Sequence, residues 1–84
     1  MANKPWDTKY IAFQQAVKLT REEAGMTQRE LATKMEKPQS FVSKYESGER
    51  KLDYIETSLI CQICHCNLTE FENIYAKKLN SFRK

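Results

Sequence analysis

Three pairs in this chain set a short polar residue three places before a glutamate at the head of an apolar run: Thr27 before Glu30, Asp53 before Glu56 and Asn67 before Glu70. Such a pair closes reciprocally. The first side chain accepts from the glutamate's backbone N–H, and the glutamate accepts from the N–H of the capping residue. Each pair is followed by apolar residues at helical spacing: Leu31, Ala32 and Met35; then Ile55, Leu59, Ile60 and Ile63; then Phe71, Ile74, Tyr75 and Leu79. Three caps in frame with three apolar stripes commit the chain to helices and set where those helices start.

Two further helices complete the reading. From about Asp7 or Thr8 to Ala24, the residues Tyr10, Phe13, Val17, Thr20 and Ala24 recur on one helical face. Gly25 then supplies the left-handed residue that ends the helix. Another helix covers about residues 38–47, with Pro38 tolerated in its first turn and Ser47–Gly48 as its stop. The sequence predicts an all-α domain over residues 1–84, with its paired short helices at about 27–35 and 38–47. Its C-terminal helix is expected at about 67–80, followed by a short tail.

The helix at 38–47 has an unusual polar half. Counting from Gln39 at roughly 100° per residue, Ser43, Ser47, Ser40 and Lys44 fall on one side, opposite Phe41, Val42 and Tyr45. A face kept only for solubility would more often carry Glu and Lys pairs. Short hydroxyls, one carboxamide and one ammonium instead leave the backbone free to approach a groove. There Gln pairs with adenine, Lys with guanine and Ser with either. The fourteen Lys and Arg against eleven Asp and Glu, a net charge of +3, are compatible with a nucleic-acid partner but do not demand one.

The stretch TQRELATKMEKPQSFVSKYESGER resembles the helix-turn-helix of the Xre and Cro/C1 family, the lambda-repressor-like regulators. The likeness spans about Val17 to Phe71, through Gln28, Leu31–Ala32, Met35, Val42, Tyr45, the Glu46…Gly48-Glu49-Arg50 ending and Leu52–Asp53. It implies a five-helix fold and a transcriptional regulator, most simply a dimeric repressor reading a short palindromic duplex operator through the major groove. It implies that Gln28 holds a phosphate from its helix N-terminus and buttresses Gln39. Gln39, Ser40, Ser43 and Lys44 would meet base edges or adjacent phosphates, while Arg50 and Lys51 would clamp the DNA backbone. Arg21 would pair with Glu46 as a structural tie. The turn departs from the family at Glu36, where glycine is usual, and at Lys37, where a small apolar residue is common. A non-glycine residue in the left-handed region costs about 1 kcal/mol.

Cys61-Gln62-Ile63-Cys64-His65 has the spelling of a haem-attachment motif, and Cys66 adds a third thiol. Haem attachment requires an exported segment, whereas the N-terminal MANKPWDTKY lacks the apolar run of a signal peptide. No apolar stretch is long enough to span a bilayer, so a cytoplasmic chain with reduced thiols and no membrane partner is expected. Cys61 and Cys64, one turn apart, are expected in the core as small hydrophobes. No metal or cofactor is predicted. Without a glycine-rich phosphate loop or a nucleophile–base arrangement, the chain is not expected to be an enzyme.

One reading helix covers too few base pairs for useful specificity, so a homodimer is expected. Its seam is assigned to Phe71, Ile74, Tyr75, Leu79 and Phe82, with Trp6 and Tyr10 as a second candidate. A second reading is an antitoxin-like or restriction-modification controller module whose main role is holding a protein partner, such as a toxin.

Overall fold

The computed structural model describes the backbone from Pro5 to Phe82 and the side chains from Thr8 to Phe82. Five helices follow one another: α1 Pro5–Glu23, α2 Gln28–Lys34, α3 Gln39–Ser47, α4 Tyr54–Ile63 and α5 Leu68–Asn80. All three capping pairs close in both directions, at Thr27/Glu30, Asp53/Glu56 and Asn67/Glu70. The first helix starts at Pro5, a little before the expected Asp7 or Thr8, since proline's fixed φ suits an opening turn.

The first four helices end in one way. A residue with positive φ at Gly25, Glu36, Gly48 and His65 turns the chain. The next N–H then reaches back five residues, as in Met26 to Arg21, Lys37 to Ala32, Glu49 to Lys44 and Cys66 to Cys61. The chain's two glycines occupy two of these positions, and Glu36 and His65 adopt the same conformation at φ 60° and 57°. At Gly48 a side chain would also meet Gln14, whose amide nitrogen lies 3.2 Å from where a Cβ would stand.

The core is built around Val17, Leu31, Val42, Tyr45 and Ile60, each almost wholly buried. Helix α5 packs chiefly along α1, and α2 packs against α3. Ala12 and Ala16 lie fully buried on α1 beside the expected Val17 and Thr20. Small residues there allow neighbouring helices to come close, and an apolar stripe searched for large side chains passes over them.

One expectation about packing is corrected. Helix α4 turns Ile60, Thr57, Cys61 and Cys64 inward, whereas Ile55 is 73% and Leu59 39% exposed. Of the expected Ile55–Leu59–Ile60–Ile63 stripe, Ile60 is fully buried and Ile63 packs against the core, so the helix is rolled about its axis toward Thr57, Cys61 and Cys64. That inward face joins Ile60 to two cysteines, which pack as small hydrophobes, and to Thr57, whose hydroxyl donates to the Asp53 carbonyl at 2.8 Å. On α5, residues expected at a dimer seam also serve the core. Phe71 is buried in the core edge-on to Phe13, ring centroids 6.0 Å apart, and Ile74 and Tyr75 pack against the same core. Leu79 is half-buried and Phe82 is exposed. The α5 stripe is therefore largely consumed in closing the molecule against α1. The side chain of Trp6, in the second candidate seam, lies outside the described residues. No described helix is long and apolar enough to cross a membrane.

Candidate nucleic-acid interface

Helix α3 divides as its sequence indicates. Phe41, Val42 and Tyr45 are buried, and Gln39, Ser40, Ser43 and Lys44 are all exposed. Phe41 and Tyr45, one turn apart on the helix, meet edge-on at 5.7 Å between centroids, and both are buried. Among the described residues, no side-chain hydrogen bond or ion pair engages Gln39, Ser40, Ser43 or the Lys44 ammonium. Ser47, at the end of the same face, instead donates to the Lys44 carbonyl at 3.1 Å.

The residues around this face are held tightly. Arg21, near the end of α1, donates from Nε and Nη2 to the two carboxylate oxygens of Glu46 at 2.7 and 3.1 Å. Its Nη1 donates to the Met26 carbonyl at 2.7 Å, so one guanidinium joins α1, the turn after it and the end of α3. The pair is nearly buried, with side chains 10% and 5% exposed, and the Glu46 carboxylate holds the guanidinium firmly charged.

Gln28 departs from expectation. Its side chain does not buttress Gln39 but donates Nε2 to Glu46 Oε1 at 2.9 Å. A charged, nearly buried carboxylate is a stronger acceptor than a neutral carboxamide, and Arg21 already draws it within reach.

The loop after α3 is organised by its own cations. Arg50 forms a fork on Glu56, Nη1 to Oε1 at 3.0 Å and Nη2 to Oε2 at 2.8 Å, and gives Nη1 also to the Lys51 carbonyl at 2.9 Å. Its guanidinium lies 4.5 Å from the centre of the Phe41 ring, which Lys37 also approaches at 5.4 Å. Lys51 stands 4.1 Å over the ring of Tyr10, and the Tyr10 hydroxyl accepts from the backbone N–H of Leu52 at 3.1 Å. Both cations assigned to a phosphate clamp thus hold the loop itself. Arg50 is the more committed, because three of its hydrogen bonds are internal. Glu56 serves twice, as cap partner of Asp53 and as Arg50's carboxylate, and the Arg50 fork pulls its pKa below the usual carboxylate value.

Sequence reasoning assigned Glu56 only a cap, and Tyr10 a place on an apolar stripe and in the second candidate seam. A cap pair six residues after an arginine was the available signal for the first. Tyr10 bonds Leu52 across a long stretch of chain, and no local pattern announces that.

The thiols form no part of this face. Cys61 and Cys64 are buried in the core and Cys66 is half-buried. Burial pushes the Cys61 thiol up to about 11 and raises Cys64 and Cys66 as well. The described residues contain no grouping of His, Cys, Asp and Glu suited to a metal ion.

Comparison with known proteins bears on this arrangement. The family model described as helix-turn-helix matches residues 17–71, from α1 through the first turn of α5. A search of the curated proteins finds no match to the chain.

Proposed function

Because the chain belongs to the Cro/C1-type helix-turn-helix family, whose domain is a DNA-binding regulatory one, we propose that it acts as a dimeric repressor on a palindromic duplex operator. Helix α3 enters the major groove with Gln39, Ser40 and Ser43 toward base edges and Lys44 toward a base or an adjacent phosphate. One observation carries the reading. The polar groups on the outward side of α3 are uncommitted, while the polar groups bordering them at Gln28, Glu46 and Arg50 are engaged in holding that helix in position.

The remaining contacts follow from this division. Gln28 opens α2 with its side chain tied to Glu46, so a phosphate would meet it through its backbone N–H, aligned at the helix N-terminus. Lys51 is exposed and can exchange its ring contact with Tyr10 for a phosphate oxygen. Arg50 contributes chiefly by holding the loop.

Selection of bound fragments from a random duplex pool tests the proposal. A palindromic consensus is the expected result, and Gln39→Ala should relax preference at one base pair of each half-site. Lys51→Ala should weaken all sequences alike and flatten the dependence of log affinity on log salt by about one contact's worth. Recovery of no consensus, or a consensus unaltered by Gln39→Ala, would remove α3 as the reader.

A further inference from the structure

Four of the chain's eight phenylalanine and tyrosine residues come together where α5 lies along α1: Tyr10 and Phe13 from one helix, Phe71 and Tyr75 from the other. They line an open cavity of about 630 Å³. Tyr10 and Phe13 meet at 5.4 Å between centroids, and Phe13 stands edge-on to Phe71 at 6.0 Å. These are separations at which a further flat ring can stack or meet an edge. Both the volume and the mainly apolar wall suit a small molecule, whose sites run to about 300–1,000 Å³.

The other residues on this cavity are charged: Lys9, Lys51 and Glu72, all exposed. The ion pairs among the described residues engage neither lysine. The Lys51 ammonium is nonetheless placed, 4.1 Å from the centre of the Tyr10 ring. The Tyr10 hydroxyl accepts from the backbone N–H of the next residue, Leu52, which fastens the lysine's own loop to the cavity wall. A neighbouring cavity of about 530 Å³ shares Tyr10, Phe13, Phe71 and Glu72, but its further charge is Asp53 and it has no cation. The cations therefore gather on one side of the aromatic wall only.

We propose that the cavity between α1 and α5 binds a small aromatic carboxylate, its ring among the four aromatic side chains and its carboxylate between Lys9 and Lys51. Charge selects an anion, because two unpaired ammoniums face a single carboxylate there. The rings select a flat ligand, because an aliphatic acid would forgo the edge and face contacts. Binding also has a consequence for Lys51, and this part rests on the DNA-reading proposal, whereas the site rests on the cavity. A phosphate and a bound carboxylate at one ammonium repel each other. Ligand and operator thus oppose one another, each lowering the other's affinity by the same factor.

Titration of the full chain with 2-naphthoate, followed by backbone amide shifts in nuclear magnetic resonance, tests the site without DNA. Neutral 2-naphthamide and cationic 2-naphthylmethylammonium serve as its counterparts. Saturable shifts around Tyr10, Lys51 and Tyr75 are expected, with the carboxylate binding about three- to ten-fold more tightly than the amide and the ammonium binding weakest. Lys9→Met and Lys51→Met should each narrow that preference, whereas Glu72→Gln should widen it by removing a like charge. All three side chains are exposed, so the fold should survive these changes. Tyr75→Ala should weaken carboxylate and amide alike. Absence of saturable 2-naphthoate binding, or a preference for the cationic counterpart, would overturn the site. So would a preference indifferent to the two lysine variants and to Glu72→Gln. With 2-naphthoate at saturation, affinity for a selected duplex should fall about five-fold or more, and Lys51→Met should remove most of that fall. An unchanged duplex affinity would overturn the opposition and leave the site standing. Failure of the parent chain to bind any duplex specifically, with the 2-naphthoate preference intact, would overturn the DNA proposal and spare the site.

Discussion

Tyr45 is the largest fully buried side chain, and its hydroxyl finds no hydrogen-bond partner among the described residues. Burial, with the Glu46 carboxylate second, raises its pKa far above the ordinary value, so the group stays a neutral phenol. A buried hydroxyl without a partner costs about 1–3 kcal/mol of desolvation. Tyr45→Phe is therefore expected to leave stability unchanged or to raise it by about 1 kcal/mol, read from urea unfolding. A clear loss would mean that the hydroxyl has a partner. Arg50 poses a different question at the same scale. If it works by holding the loop, Arg50→Ala and Glu56→Gln should both weaken operator binding and both lower the melting temperature. If it touches phosphate directly, Glu56→Gln should release the guanidinium and strengthen binding instead. The sign of the Glu56→Gln effect in a titration of fluorescent duplex separates the two. Arg50 shows why sequence could name a cation here and leave its role open. The carboxylate that claims it already had a local reason to be present, as a cap.

At the scale of elements, the turn between α2 and α3 holds the clearest local compromise. Glu36 occupies a left-handed conformation, with φ 60°, that two of the other three helix ends do not impose on a larger residue. Glu36→Gly should raise stability by about 0.5–1 kcal/mol, the relief of the left-handed strain less the added freedom of the unfolded chain. Thermal unfolding of the paired variants checks it, and destabilisation would mean that the Glu36 side chain makes a compensating contact. The starts of α2, α4 and α5 were legible almost to the residue because a capping pair closes within four residues. The polar half of α3 was legible for the same reason, since Gln39, Ser40, Ser43 and Lys44 share a face whatever the helix packs against. The inward side of α4 was not. Two apolar arcs adjoin on that helix, Ile55–Leu59 and Ile60–Cys61–Cys64, and periodicity alone cannot rank them. The choice fell to the neighbours, which left room for sulfur and a threonine hydroxyl.

Over the whole molecule, a few groups set how stability responds to pH. Glu56 has a folded pKa depressed below its ordinary 4.5, by the hydrogen bonds from Arg50 first. Its contribution is present above the unfolded value and is lost as pH falls through the lower folded one. Cys61 runs the other way, raised by burial from 9.0 to about 11. Its contribution is intact below about pH 9 and is lost as pH rises toward 11, because only the unfolded thiol ionises freely there. Melting temperature is thus expected to hold through neutral pH and decline on both sides. Cys61→Ala should remove part of the alkaline decline, and Glu56→Gln part of the acid one; unchanged limbs in these variants would assign the titration to other groups. By itself the sequence determined the five helices, their caps and the uncommitted face of α3, because each depends on residues within a few positions of one another. Only the tertiary structure decided that α5 closes the core, that Arg50 and Lys51 hold their own loop, and that α4 leaves Ile55 and Leu59 outside. Those outcomes depend on which distant surfaces meet, as when the Tyr10 hydroxyl accepts from Leu52, and helical periodicity contains no information about the partner a face will find.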